Sequence, residues 1–306
     1  MNYKKILRFI VLSFSISWAS ALAMKLFNIP YGSMASLVVI AICYMGGPAI
    51  ATFILQKFVY KESFTRYGWT ISHRKKIWFL YTPLTFIALI GATLGVIALL
   101  GNTGIIPQFG SIDMSYEHFS KQLTALYLES NGISNLSIPA VSPLLILVII
   151  LLGGIIGGST LNLPVMFGEE FGWRGLMLTE TRKMGFLKSN LLIGFVWGIW
   201  HAPIITMGHN YPNHPITGIA MMCMMTMAIA PVFAWLRVKS GSILDACMLH
   251  GMINSTATVF SLYVADGHEM YASIAGWAGV LAGVVLTVCI YLFDKPFVKD
   301  YPTPNQ

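Results

Sequence analysis

The chain alternates long apolar runs with short polar intervals. Seven runs, at roughly 7–27, 35–56, 77–100, 189–207, 217–236, 242–264 and 270–293, approach or exceed the ~20 residues that a helix needs to cross a bilayer. A further apolar region starts near Pro143 and continues into GEEFGWRG at 168–175, where two adjacent carboxylates and an arginine interrupt it. The pattern predicts an all-α fold, a polytopic transmembrane helical bundle of about eight spans. Pro164 predicts a kink or break just before Glu169, so 143–158 is either the outer part of one long helix or a separate re-entrant piece. No soluble domain is expected. Residues 1–306 read as one integral membrane domain with a motif-bearing core at 143–264.

Composition sharpens this reading. Hydrophobic residues make up 56% and charged residues 10%, and the mean hydropathy is +0.70, too apolar for a soluble globular protein. The net charge of +7 does not point to nucleic acid, because the basic residues fall in short clusters between apolar runs. With both termini cytosolic and eight spans, 17 of the 19 Lys and Arg residues lie at or toward cytosolic ends, leaving Lys25 and Lys121 outside. The positive-inside rule therefore sets the orientation, in what we expect to be the cell membrane of a prokaryote. Lys4, Lys5 and Arg8 followed by an apolar stretch and ALA at 21–23 also fit a cleavable secretory signal, although the apolar stretch is longer than a usual signal core.

Other features predict packing. Cys43, Cys223, Cys247 and Cys289 lie inside apolar runs without paired spacing, so neither a disulfide framework nor a CxxC metal site is expected. Gly153 with Gly157 and Gly154 with Gly158 have the spacing of a close helix contact in lipid. In the polar interval 101–142, Phe119, Leu123 and Leu126 recur at helical spacing and suggest a helix on the interface, and Asn135 in NLS would accept a glycan in a secretory host. Ser242 and Asp245 read as an S-x-x-D capping box.

The candidate chemistry lies in three short stretches. Charged groups inside hydrocarbon cost at least ~2.5–3.5 kcal/mol each and call for partners or a watery cavity. Glu170 and Arg174 are four residues apart with the acid first, the favourable order for a pair on one helix face. Glu169 points about 100° away and is free to face a neighbouring helix. In WGIWHAP at 197–203, Trp197 and His201 share a helix face beside Gly194 and Gly198. In HGMIN at 250–254, His250 and Asn254 share another. Counted from the cytosolic helix ends, Glu169, His201, His250 and Asn254 fall at comparable depth, Glu169 being roughly 20 Å in. A carboxylate and an imidazole aimed at one water suit general-base activation, and a second His with an Asn amide can donate to a developing oxyanion. The alternatives are a structural ion-pair cluster with interhelical hydrogen bonds, or zinc held by Glu169, His201 and His250.

Together, the three stretches resemble the intramembrane CAAX-processing and bacteriocin-processing proteases, known as the CPBP or Abi family. The family pattern is EExxxR, then FxxxH, then HxxxN or HxxxD, each on its own transmembrane helix. Here these are Glu169, Glu170 and Arg174; Trp197 with His201, a Trp replacing the family's Phe; and His250 with Asn254. The resemblance covers about 169–254. It implies that Glu169 and His201 activate the attacking water, that His250 and Asn254 stabilise the oxyanion, and that Glu170 and Arg174 shape the site. Family members are described both as metalloproteases and as metal-independent glutamate proteases, so no cofactor is certain and zinc remains an option. The expected partners are the lipid bilayer and a peptide substrate, prenylated in the CAAX-processing relatives.

Two other functions fit the sequence. A non-catalytic immunity or peptide-binding membrane protein could use the same fold, because fold does not fix function. MMCMMTM at 221–227, with Met221 and Met225 on one face, offers thioether ligands for a soft-metal path, against the plainer reading of flexible apolar packing.

Overall fold

A computed structural model describes residues 1–69, 76–131 and 141–302. Arg74, Lys75 and Asn135 lie outside them. The chain runs through α1 (Tyr3–Leu26), α2 (Met34–Tyr60), α3 (Trp78–Asn102), α4 (Tyr116–Asn131), α5 (Pro143–Ser159) and α6 (Leu163–Met184). It continues through α7 (Phe186–Trp200), α8 (Pro215–Ser240), α9 (Leu244–Ser255), α10 (Thr258–Tyr263) and α11 (Trp277–Phe293). The strands described are β1 (Ser111–Ile112) and β2 (Val264–Ala265), paired antiparallel. The fold is thus an all-α membrane bundle. Among the described residues α1, α2, α3 and α8 are long and apolar enough to cross a bilayer, and α5 with α6 form a fifth candidate bent by 63°. The bend falls in the three residues before Leu163, as the proline at 164 predicts, because its ring cannot continue an upstream helix.

Three predicted runs are shorter as helices than as apolar stretches. The run 189–207 breaks at His201, whose N–H bonds to the Gly198 carbonyl at 3.1 Å before a separate turn at Ala202–Ile205 containing Pro203. The run 242–264 divides after Ser255, where the Thr256 hydroxyl donates back to the Met252 carbonyl at 2.8 Å and its backbone leaves the helical region. The run 270–293 becomes helical only at Trp277, after the extended Gly276. The capping box also does not form. Ser242 Oγ accepts from the Leu244 N–H at 3.2 Å, while the buried Asp245 carboxylate accepts from Thr82 Oγ of α3 at 2.8 Å.

Small residues bring the site helices together. A Cβ at Gly194 or Gly198 would lie 2.5 Å from the α8 backbone at Met227 or Cys223, so α7 and α8 touch along their main chains. Of the two glycine pairs in α5, Gly154 and Gly158 pack against α9, whereas Gly153 has open space beside it. α1 is part of the bundle. Ser17 Oγ donates to the Tyr44 carbonyl at 2.7 Å, and Trp18 Nε1 donates to the Trp200 carbonyl at 3.1 Å, one residue before His201. The apolar face of α4 does not lie free on an interface, because Phe119 is buried against Val259, Leu262 and Tyr263. All four cysteines are unpaired.

At the basic end of the bundle, buried Lys5 reaches Glu62 Oε2 at 2.8 Å and Glu180 Oε1 at 3.3 Å, joining α1 and α6 to the segment after α2. Burial alone would raise the Glu62 carboxyl. The hydrogen bonds from Lys5 and Gln56 and the charges of Lys5 and Arg66 outweigh it and hold the group below its ordinary range.

Candidate active site

α6 carries the two adjacent carboxylates inward. Both are buried, Glu169 at 1% exposure and Glu170 at 0%, and beyond them the helix widens to π-type turns from Phe171 to Met177. Such widening re-aims side chains and recurs at functional sites. Successive residues on a helix point about 100° apart, and the two acids accordingly take different partners. Glu170 faces Arg174 and His250. Glu169 faces α7.

Glu170 joins Arg174 and His250 in one buried node. Arg174 Nη1 lies 3.1 Å from both Glu170 oxygens, and His250 Nδ1 lies 2.9 Å from Oε1. The Glu170–Arg174 pair is the one that the spacing predicts. The guanidinium also sits over two rings, 4.3 Å from the Trp197 centroid and 4.4 Å from that of Phe233. Among the described residues, Arg174 Nε and Nη2 have no hydrogen-bond acceptor. The π faces compensate part of that charge.

Glu169 is held by a different donor. Trp197 Nε1–H donates to Glu169 Oε2 at 2.8 Å, which fixes the carboxylate and leaves Oε1 for another contact. Four residues on, His201 Nδ1 lies 2.8 Å from the Trp197 carbonyl. A carbonyl can only accept, so Nδ1 carries the proton, and in the neutral ring Nε2 is left with a lone pair. The same logic applies to His250, whose Nδ1–H donates to the Glu170 carboxylate. An Nε2–H donor on that ring therefore requires the doubly protonated form, whose charge Glu170 faces. Asn254 Nδ2 is directed at Met166 Sδ, 3.5 Å away. A thioether is a weak acceptor, so the amide remains available to a better one.

Glu169, Trp197, His201, His250 and Asn254 all line one cavity of about 290 Å³. Its other walls are mainly apolar, with Met222, Met225, Ile229 and Phe233 from α8 opposite Trp200 and Ile204. Glu170 and Arg174 lie behind the wall. Met225 lines the cavity and Met221 does not, although both belong to one apolar cluster with Ile205, Tyr211 and Met222. His209 and Asn210, from the turn after α7, also line the cavity. His209 was visible in HNYPNHP, but no spacing rule shows that this turn folds inward. Among the described residues no three His, Cys, Asp or Glu side chains converge to hold a metal ion. Glu169, His201 and His250 do not form such a group.

Residues 139–256 match the family model described as Type II CAAX prenyl endopeptidase Rce1-like. The chain is also similar to a curated protein of Methanococcus maripaludis, CAAX prenyl protease 2, with 29% identity over 154 residues. That alignment covers 43% of this chain and 57% of the relative, so the chain spans little more than half the length of the relative it matches. The matched interval contains the double glutamate with its arginine, His201 after α7 and the His–Asn pair of α9, and Glu169, His201, His250 and Asn254 of these meet at one cavity. By that constellation and the family match, residues 139–256 are similar to the Rce1-like type II CAAX prenyl endopeptidases.

Proposed function

We propose that the protein is an intramembrane endopeptidase that hydrolyses membrane-associated peptides, with Glu169 and His201 activating water. The observation that carries this reading is the fixed Glu169 carboxylate, bonded through Oε2 and facing the same cavity as the free Nε2 lone pair of His201. Water between these two acceptors loses a proton as its oxygen attacks the scissile carbonyl. The resulting oxyanion takes hydrogen bonds from Asn254 Nδ2–H and from His250 Nε2–H, with the ring held through Nδ1 by Glu170. Glu169 then passes the proton to the leaving amine as the C–N bond breaks. Trp197, Glu170 and Arg174 position these groups.

The topology is part of the proposal. Four long helices, the bent α5–α6 pair taken as one crossing, and α7, α9 and α11 as short crossings give eight spans with both ends cytosolic. We place the protein in the cell membrane of a prokaryote. The largely apolar cavity walls support a substrate with apolar side chains at the cleavage point, and a prenylated peptide is one form that a membrane-associated substrate could take.

The test is cleavage of a peptide library by the protein in liposomes, comparing wild type with Glu169→Gln and His201→Ala. Loss of cleavage in both variants, with helical content retained, is the expected result. Wild-type cleavage patterns persisting in both would overturn the assignment. A chain that binds peptides in this cavity without cutting them would instead be a peptide-binding protein on the same fold.

A further inference from the structure

His209 has the strongest unassigned chemistry in the molecule. It lies outside the three motifs, on the turn between α7 and α8, yet lines the same cavity as His201. The two imidazoles are nearly parallel, 3° apart in plane, with centroids 6.2 Å apart.

The turn is built to hold this ring inward. Gly208 and Asn210, on either side, both adopt positive φ, +105° and +59°, conformations that glycine takes freely and asparagine more readily than most residues. The His209 N–H bonds to the Ile204 carbonyl at 3.0 Å, and its own carbonyl accepts from the Tyr211 N–H at 2.7 Å. Tyr211 is fully buried, and its hydroxyl anchors the turn to the Ala275 carbonyl at 2.6 Å. From the opposite side, the Tyr31 hydroxyl on the α1–α2 connection lies 2.6 Å from His209 Nδ1. Three separate segments thus converge to set one side chain.

We infer that His209 is a further substrate-contacting residue, held by Tyr31 as an Nε2–H donor that bonds a peptide carbonyl next to the scissile bond. This rests on the endopeptidase reading above. A phenol is a better donor than acceptor, and the unprotonated Nδ1 of a neutral imidazole is a good acceptor, so Tyr31 O–H donates to Nδ1. The ring proton then resides on Nε2, at the edge turned away from Tyr31. His201 has the opposite tautomer, because its Nδ1–H is committed to the Trp197 carbonyl. The cavity therefore carries one imidazole that accepts and one that donates. A peptide backbone alternates donors and acceptors, and the pair offers a register for it.

The first measurement is NMR of isotope-labelled histidine in the detergent-solubilised full chain. The inference expects His209 protonated at Nε2 in wild type and this preference lost in Tyr31→Phe. Protonation at Nδ1 in wild type overturns it, and no substrate is needed. The second is the liposome peptide-library assay with His209→Gln, which keeps an N–H near the Nε2 position, and His209→Phe, which keeps a ring without one. His209→Phe should lower kcat/KM about tenfold, mainly through KM, while His209→Gln recovers most of the loss. Equal activity of wild type and His209→Phe overturns the inference and leaves the endopeptidase reading intact. Undiminished cleavage by Glu169→Gln in the same assay would remove that reading itself.

Discussion

Removing the Glu170 carboxylate should destabilise the bundle more than removing the whole Glu170–Arg174 pair. Arg174 is 0% exposed, and Nη1 touches Glu170 alone at 3.1 Å while its faces meet Trp197 and Phe233. Without the acid, a desolvated guanidinium loses its hydrogen-bonded carboxylate, and breaking a buried pair from one side costs about 3–5 kcal/mol. At about 2–4 °C per kcal/mol, the scale for a large domain, Glu170→Ala should lower the Tm in detergent by on the order of 10 °C. Arg174→Met should cost less, because Glu170 keeps the His250 Nδ1–H at 2.9 Å. A double variant, Glu170→Leu with Arg174→Met, removes both charges and should fall well short of the sum of the singles. The assay is thermal unfolding of the four proteins followed by circular dichroism. Strict additivity, or single variants within about 2 °C of wild type, would refute the view that this triad is a coupled, fully desolvated node.

Other consequences follow from the same geometry. Trp197→Phe restores the family's residue and the ring over Arg174 but deletes the N–H on Glu169; a bond to a charged group contributes about 1.5–3 kcal/mol, so kcat should fall roughly 10- to 100-fold. Unchanged kcat would show that the indole N–H does not position the base. Asn254→Ala removes one oxyanion donor and should lower kcat about 100-fold with little change in KM, read from steady-state cleavage. At the basic end, Glu62 has a depressed folded-state pKa, so its contribution to stability is present above the ordinary value of 4.5 and is lost as the pH falls through the lower folded value. Glu62→Gln should therefore flatten the acid limb of a Tm-versus-pH curve, and an unchanged limb would contradict the Lys5–Glu62 contact. Because no three ligand side chains converge among the described residues, cleavage should survive a strong chelator; loss restored by added zinc would replace this account with a metal site.

The legible part of the site was the part written in helical spacing. Glu170 with Arg174, Trp197 with His201, and His250 with Asn254 are all four apart, and each set shares a face as that period requires. The apolar runs likewise announced a membrane bundle, and Pro164 announced its bend. What the pattern could not give was where apolar sequence stops being helix. Thr256 and Gly276 sit inside hydrophobic stretches, and only side-chain back-bonding and extended backbone end the helices there. Nor could it give contacts between distant segments. The motif spacing places Trp197 on the face of His201, but only the fold shows that its indole N–H is the donor that fixes Glu169. Asp245 read as a local cap, but Thr82, 163 residues away, supplies its partner. His209 stayed hidden for the same reason, since it enters the cavity by way of positive φ values and a tyrosine from the α1–α2 connection.

The central claim is that Glu169 is the group that activates water in this cavity. The most direct measurement is single-turnover cleavage of a fluorogenic peptide by wild-type protein and Glu169→Gln in the same liposomes, with binding of the uncleaved peptide followed in parallel. Glutamine keeps the shape and can still accept from Trp197, so the account predicts unchanged binding and a cleavage rate reduced to background. Cleavage by Glu169→Gln at the wild-type rate would contradict it.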